Sequence, residues 1–406
     1  MKNYLKSLTF WKTVGTIIIT AGIYVTYVRF AKGLGGTTNL SDEFPWGLWI
    51  GFDILCGVGL AAGGFTLAAI VHIFHIKRFE PILRPTILTA FLGYLLVIVA
   101  LLYDLGRPLQ IWHAIIMWNP HSVMFEVAWC VMLYTAVLAL EFSPVVLEKF
   151  NMTRTLKVFK RITLPLIIIG VLLSTLHQSS LGSLYLIVPE KLYPLWYTPY
   201  LPVFFFFSAI AVGCAMIIFE SFLSARAFKK GLELHLLADI ARASVVILAA
   251  YLTMKIMDLI DRSTISLLFL PRMETYLYWL EIVVGVVAPL FLLSLLKVRQ
   301  YHNGLFFSAV MIILGFILNR MNISITGMEA WAGLSYFPTW MEITVTMAIV
   351  TVGFIIFRLA AKYLPLFTHE YETQTLKPIL DLDEDLQLIS QPNYQSETHP
   401  FGRIIP

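Results

Sequence analysis

The chain has 406 residues, of which 58% are apolar and 13% charged, and its mean hydropathy is +0.79. A water-soluble globule of this size cannot use so much apolar surface, so composition excludes a soluble enzyme and predicts an integral membrane protein. Twenty-nine Lys and Arg against 25 Asp and Glu leave a formal charge of +4, too sparse and scattered for a nucleic-acid surface.

Apolar runs long enough to cross a hydrocarbon core of roughly 30 Å occur at about 11–30, 47–74, 86–104, 122–142, 162–181, 201–223, 240–258, 277–296, 305–320 and 341–362. They are continuous rather than alternating, which excludes a barrel and predicts an all-α membrane protein with ten transmembrane helices. The first run lacks the small-residue cleavage signature of a signal peptide and is expected to remain as an anchor. The expected organisation is a first helix and outer loop over 1–45, a four-helix bundle over 46–182 (spans 2–5), a second over 183–322 (spans 6–9), a last helix over 323–365 and a polar tail over 366–406.

Ten crossings place both termini and the loops after spans 2, 4, 6 and 8 on one face. That face holds 21 of the 29 Lys and Arg, so the positive-inside rule predicts a multi-pass protein of the cell membrane with both termini in the cytoplasm. Trp46, Trp49, Trp112, Trp118, Trp196, Trp279, Trp331 and Trp340 gather toward the outer ends, as interfacial aromatics do. The tail, with Asp381, Asp383, Glu384 and Asp385, reads as a cytoplasmic extension that orders against a partner.

Two matches at one offset suggest a duplication. Asp104 ends span 3 and Asp258 ends span 7; Glu126 and Glu281 stand near the outer ends of spans 4 and 8, and both pairs are displaced by 154 or 155 positions. A four-helix repeat has an even number of crossings, so both copies keep one orientation. Acids also favour helix ends in membrane proteins generally, and the motifs are too short to separate the two explanations.

Ionised side chains are costly at membrane depth, so those inside spans need partners, water or a proton. Asp53 lies in span 2, Asp104 and Arg107 at the end of span 3, Glu126 at the start of span 4, and His177 to Ser179 at the end of span 5. Alternating direction brings all of them, Gln178 included, to the outer third of one bundle. A pocket for a ligand with a polar head and an apolar tail needs this composition. A quinone is such a ligand: its two carbonyls take hydrogen bonds, and its two-electron reduction takes up two protons from nearby acids or imidazole.

Structural readings stand beside these. Asp104 and Arg107, three apart, form an ion pair as readily as a catalytic pair; His177 suits a packing histidine; Glu220 either leads protons with His72 toward the cytoplasm or snorkels toward Arg226. Asp258, Asp261, Arg262, Glu281 and Arg320 form an outer cluster in the second bundle whose balanced charges suit a structural network. Cys56, Cys130 and Cys214 are too far apart for a metal or iron-sulfur site. His72 and His75 share one helix, and no histidine pair suits a haem held between facing helices, so this chain is expected to bind neither haem nor metal.

Five separated motifs carry a family resemblance: Phe44-Pro45-Trp46-Gly47-Leu48-Trp49-Ile50-Gly51-Phe52-Asp53, Asn119-Pro120-His121-Ser122-Val123-Met124-Phe125-Glu126, Leu176-His177-Gln178-Ser179-Ser180-Leu181-Gly182-Ser183-Leu184, Phe219-Glu220 and Tyr336-Phe337-Pro338-Thr339-Trp340. In this order they resemble the NrfD/polysulfide reductase (PsrC-like) superfamily, HybB type, over about residues 10–365. The resemblance implies a haem-free, quinone-binding membrane subunit of two four-helix bundles that exchanges electrons with a ferredoxin-like iron-sulfur subunit on the outer face. It implies Glu126 and Glu220 as functional acids and a quinone beside Asp53 and His177. Further partners would be a multihaem cytochrome, a hydrogenase or molybdopterin-type subunit, or cytoplasmic sulfur-metabolism subunits; the long tail after 365 favours an assembly with a cytoplasmic component.

The combined expectation is a menaquinone-reactive subunit in lipid. Asp53, His177, Trp46, Arg107 and Gln178 would hold the quinone, and Glu126, Asp104, Glu220 and His72 would transfer protons. A secondary transporter, suggested by the repeat and the intramembrane acids, and a passive anchor for an external redox protein are the rival readings.

Overall fold

The computed structural model describes residues 2–228 and 231–366, and its regular structure is helical throughout. Beyond Leu366 the polar tail lies outside the described residues. Ten long helices occupy the ten apolar runs: α1 Lys2–Lys32, α2 Trp49–Ile73, α3 Lys77–Asp104, α4 Val123–Lys149, α5 Thr153–Ser183, α6 Leu201–Phe228, α7 Leu234–Asp261, α8 Met273–Ser294, α9 His302–Ala332 and α10 Trp340–Tyr363. Among the described residues nine of these have the length and apolarity to cross a membrane. The tenth, α5, has 31 residues, a rise of about 46 Å at 1.5 Å per residue.

The helices pack in two groups of four with a flanking pair. Within the first, α2 lies on α3 and α4 packs along α5; within the second, α6 packs along α7 and α9, and α8 along α7 and α9; α1 pairs with α10, which also lies on α3. The groups meet where α2 touches α6 and α9 and where α5 runs beside α6. α2 is an interrupted helix, with wide π-type turns at Trp49–Cys56 and Ala69–Ile73 and a break at Ala61 and Ala62. Such turns recur at functional positions.

One predicted boundary moves. The ninth apolar run stops at about 320 because the polar Asn319, Arg320, Asn322 and Ser324 interrupt it, yet α9 continues to Ala332 through a π-type turn at Asn322–Thr326. Those polar side chains find partners inside the protein, which lets the helix continue at membrane depth. The expected division at 322/323 therefore falls inside α9.

Small residues set the closest helix approaches. A Cβ on Gly315 of α9 would stand 1.9 Å from Gly285 Cα of α8, and one on Gly213 of α6 would stand 2.9 Å from the Ala62 carbonyl carbon of α2. Backbone cannot move aside as a flexible side chain can. Gly315→Leu is therefore expected to separate α8 from α9 and to destabilise by at least the roughly 1–3 kcal/mol of an overpacked core, read as a lower melting temperature in detergent. An unchanged melting temperature would show that the crossing can widen freely.

Candidate functional site

Call the end of the bundle where α1 and α3 finish and α2 and α4 begin the tryptophan-rich face, and the opposite end the basic face. At the tryptophan-rich face, α1, α2, α3 and α10 enclose a polar group. The Asp53 side chain, 6% exposed, accepts a 2.7 Å bond at Oδ2 from Thr346 Oγ1 of α10. Arg29 of α1 is buried and donates from Nε to the Tyr103 carbonyl and from Nη2 to the Leu105 carbonyl, each at 2.7 Å. It thereby satisfies carbonyls that the end of α3 leaves open, and it sets its charge beside Asp104. Asp104 is also within electrostatic reach of Asp53 and Glu342. Tyr103 adds a 2.7 Å bond between its hydroxyl and Thr26 Oγ1.

Glu342 closes this group from α10. It is buried, completes a capping box with Thr339, and accepts from the Thr339 N–H at 2.8 Å, the Asn39 N–H at 3.3 Å and the Tyr336 hydroxyl. The Leu48 N–H donates to the Tyr336 hydroxyl at 3.0 Å, and Trp49 Nε1 donates to the Glu342 carbonyl at 3.2 Å. Tyr336 lies in the loop before α10, where burial first and the Glu342 carboxyl second push its phenol above its ordinary value; it remains a proton donor. Asp104 thus stands between two further carboxyls, Asp53 and Glu342, with the Arg29 guanidinium beside it.

A second group lies on the other side of α2. His177 of α5 is fully buried and neither ring nitrogen has a hydrogen-bond partner. Its ring centroid is 5.8 Å from that of Tyr94, which is 4.7 Å from that of Tyr134. The hydroxyls of Tyr94, Tyr134 and Ser174 are buried together, with Ser174 within reach of both tyrosines and Gln178 within reach of Tyr94. Buried polar atoms are normally satisfied, and the two ring nitrogens of His177 are left to accept or donate a bond to water or to a polar ligand atom. Gln178 donates from Nε2 to the Val58 carbonyl at 3.2 Å, tying α5 to α2. Toward the tryptophan-rich face, Ser180 donates a 2.6 Å bond to Glu126 Oε1, and Glu126 is exposed at the rim. Phe125, Trp118 and Trp129 cluster there, with Trp118 and Trp129 centroids 4.7 Å apart. Trp46 meets Tyr185 edge-on at 5.3 Å.

Further toward the basic face, Glu141 lies within electrostatic reach of Tyr134. The side-chain oxygens of Glu220 and Thr89 are buried neighbours between α6 and α3, within hydrogen-bonding reach of each other. His72 is half-buried in the second π-type turn of α2.

The predicted site residues thus fall into separate groups. Asp53 and Asp104 come together with α1 and α10; His177 and Gln178 come together with Tyr94 and Tyr134, with Glu126 at their rim. Arg107 is exposed in the loop after α3, and Arg29 supplies the buried guanidinium beside Asp104. Sequence reading passed over Arg29, Glu342, Tyr94, Tyr134 and Ser174. Two of these had a signal: an arginine within an apolar run, and Glu342 three residues after Thr339 in a capping-box spacing.

In the second bundle the expected network is dense, although the buried Arg320 Nε has no partner. Glu281 accepts from Trp196 Nε1 at 3.0 Å, Asn319 Nδ2 at 2.7 Å and Asn322 Nδ2 at 3.0 Å. Arg320 donates to Asn319 Oδ1 at 2.5 Å and Ser208 Oγ at 2.8 Å, with its guanidinium 3.6 Å from the Phe205 ring centroid. Asp258 takes two bonds from Arg262, at 3.0 and 2.6 Å, and one from Thr198 at 2.5 Å. Lys255 is buried with its ammonium 4.9 Å from the Phe204 ring centroid. Glu126 and Glu281, the proposed duplicates, therefore differ: one is exposed at a rim, the other sealed by three donors. Among the described residues no group of three or more His, Cys, Asp or Glu is arranged to hold a metal ion.

Residues 36–332 match the family described as Polysulphide reductase, NrfD. A protein of Nitratidesulfovibrio vulgaris is 41% identical over 366 residues, covering 87% of this chain and 93% of its own length. The probable Ni/Fe-hydrogenase 2 b-type cytochrome subunit of Escherichia coli K12 is 32% identical over 343 residues, 83% of this chain and 87% of that one. The menaquinone reductase integral membrane subunit of N. vulgaris is 26% identical over 402 residues, 91% of this chain and 94% of its own.

Proposed function

Because the chain belongs to the NrfD polysulphide reductase family, matched over residues 36–332, we propose that it is the membrane subunit of a respiratory complex that passes electrons between an iron-sulfur partner and menaquinone. The partner would sit on the tryptophan-rich face, outside the cell membrane, with both termini in the cytoplasm. The observation that carries this reading is the run of buried polar groups leading inward from an exposed carboxyl: Glu126 and Ser180 at the rim, then His177, whose two ring nitrogens have no partner, with Ser174, Tyr94 and Tyr134 beside it. A quinone supplies two-electron chemistry that takes up two protons. Glu126 and Ser180 would bind its head group beside the Trp118, Phe125 and Trp129 rings, which suit the face of a flat ring. Ser180 and His177, three apart on α5, would pass a proton between that rim and the tyrosines. Asp53 and Asp104 would form a second proton store, and Glu220 with His72 would lead toward the basic face.

The same reading assigns no haem to this chain, although one relative's name includes a b-type cytochrome. Iron held between histidines needs two on facing helices, and His177 is the one fully buried histidine among the described residues.

The interrupted α2 favours a second reading, a secondary transporter, whose substrate sites use broken helices. At the break, however, Gly213 packs against the Ala62 and Gly63 backbone, which is the geometry of a close helix crossing. The purified complex is expected to show electron transfer that saturates with a menaquinone analogue. Substrate uptake into proteoliposomes without such redox activity would replace this function with the transporter.

A further inference from the structure

On the basic face a cleft of about 480 Å³ opens between the start of α7 and the turn after α8, lined by Leu234, His235, Asp239, Arg242, Leu296 and Arg299. Its charges do not balance. Arg78 binds Asp239, Nη1 to Oδ2 at 2.8 Å, and Arg242 Nη2 stands 3.6 Å from the other oxygen. Two guanidiniums, those of Arg78 and Arg242, thus flank the one Asp239 carboxylate, and a third, that of Arg299, lines the same cleft. The Arg242 side chain is 66% exposed, and Arg299 is half-buried with its Nε enclosed and without a partner.

Position adds the second half of the argument. The cleft joins the ends of two membrane helices, the depth at which hydrocarbon gives way to lipid head groups. Leu234 and an exposed Leu296 give it an apolar wall. Guanidinium groups match phosphate oxygens in geometry as well as charge, and basic pockets at this depth suit anionic head groups. We propose that this cleft binds the phosphate of an anionic glycerophospholipid of the adjoining leaflet, with Arg242 and Arg299 on the phosphate and an acyl chain along Leu296.

The test uses the full chain in its complex, delipidated in neutral detergent and titrated with phosphatidylglycerol, phosphatidylcholine or inorganic phosphate under native mass spectrometry. Phosphatidylglycerol is expected to be retained and phosphatidylcholine not. Arg242→Gln and Arg299→Gln should each weaken retention by about fivefold, the contribution of one basic residue at an anionic surface. Arg242→Lys and Arg299→Lys should keep most of it. Lys157→Gln, on the same face but outside the cleft, should change nothing. Equal retention of phosphatidylcholine, or full retention in the Arg242→Gln/Arg299→Gln double variant, overturns the proposal. Inorganic phosphate that phosphatidylglycerol cannot displace also overturns it, in favour of a free-ion site. Should a glutamine variant fail to assemble, the charge-keeping lysine variants decide: phosphatidylglycerol held well above phosphatidylcholine supports the site, and retention no greater than that of phosphatidylcholine overturns it. Neither arginine belongs to the proposed quinone site, so this result stands apart from the functional reading.

Discussion

Replacing Glu126 by Gln is expected to lower quinone-linked electron transfer by about 10²–10⁴-fold, the usual contribution of a positioned acid or base, while the complex still assembles. Gln has nearly the same volume, and its carbonyl can still accept the 2.6 Å bond from Ser180. The substitution therefore removes an exchangeable proton and little else. Glu126 is exposed at the rim, so folding places no buried charge at stake there. Steady-state turnover with a menaquinone analogue, alongside the yield of intact complex, measures both halves. Wild-type turnover would remove Glu126 from the chemistry; tolerance of neutral replacement at Asp53 and Asp104 as well would reduce the subunit to an anchor.

Glu281→Leu is expected to act on stability. Trp196, Asn319 and Asn322 would lose the acceptor they share, and Lys255 and Arg320, both buried, would lose an anion within electrostatic reach. Breaking a buried ionic network from one side costs about 3–5 kcal/mol, because the remaining groups stay buried without compensation. The measure is the melting temperature of the purified protein in detergent, compared with Glu281→Gln. Gln keeps an acceptor for one or two of the three donors and should fall between wild type and Leu. Equal stability of all three would mean that water takes over the donors, for which the adjoining cavity of about 30 Å³ has room for about one molecule.

The fold was legible because crossing a membrane demands a long apolar run, and that demand is written locally in the sequence. The depth of the candidate acids was legible for the same reason: residue number along a span fixes depth. Which helix face each acid addresses was not. Asp53 and His177 share a depth, but α2 turns Asp53 toward Thr346 of α10 while Gln178 binds Val58 on the side facing α5. That choice depends on how the flanking helices α1 and α10 pack, and their contribution of Arg29 and Glu342 has no periodic signature. Glu126 and Glu281 make the same point. One offset relates them in sequence, yet only Glu281 faces Trp196 and the two asparagines of α9. Tyr94 and Tyr134 gave no warning either, because a tyrosine in an apolar run satisfies the pattern whether or not its hydroxyl has work to do.

The position of Arg29 also bears on how the chain is made. Synthesis runs from the N-terminus, so α1 enters the bilayer before the α3 carbonyls that receive its guanidinium exist. Arg29 stands in the last turn of α1, with Lys32 ending the helix, close enough to the surface for its side chain to remain hydrated during that interval. Once Tyr103 and Leu105 arrive, the guanidinium exchanges water for their carbonyls and becomes enclosed. The energetic penalty of an intramembrane cation is thereby postponed until a partner is at hand, and its withdrawal from water dates the docking of the first helix onto the third.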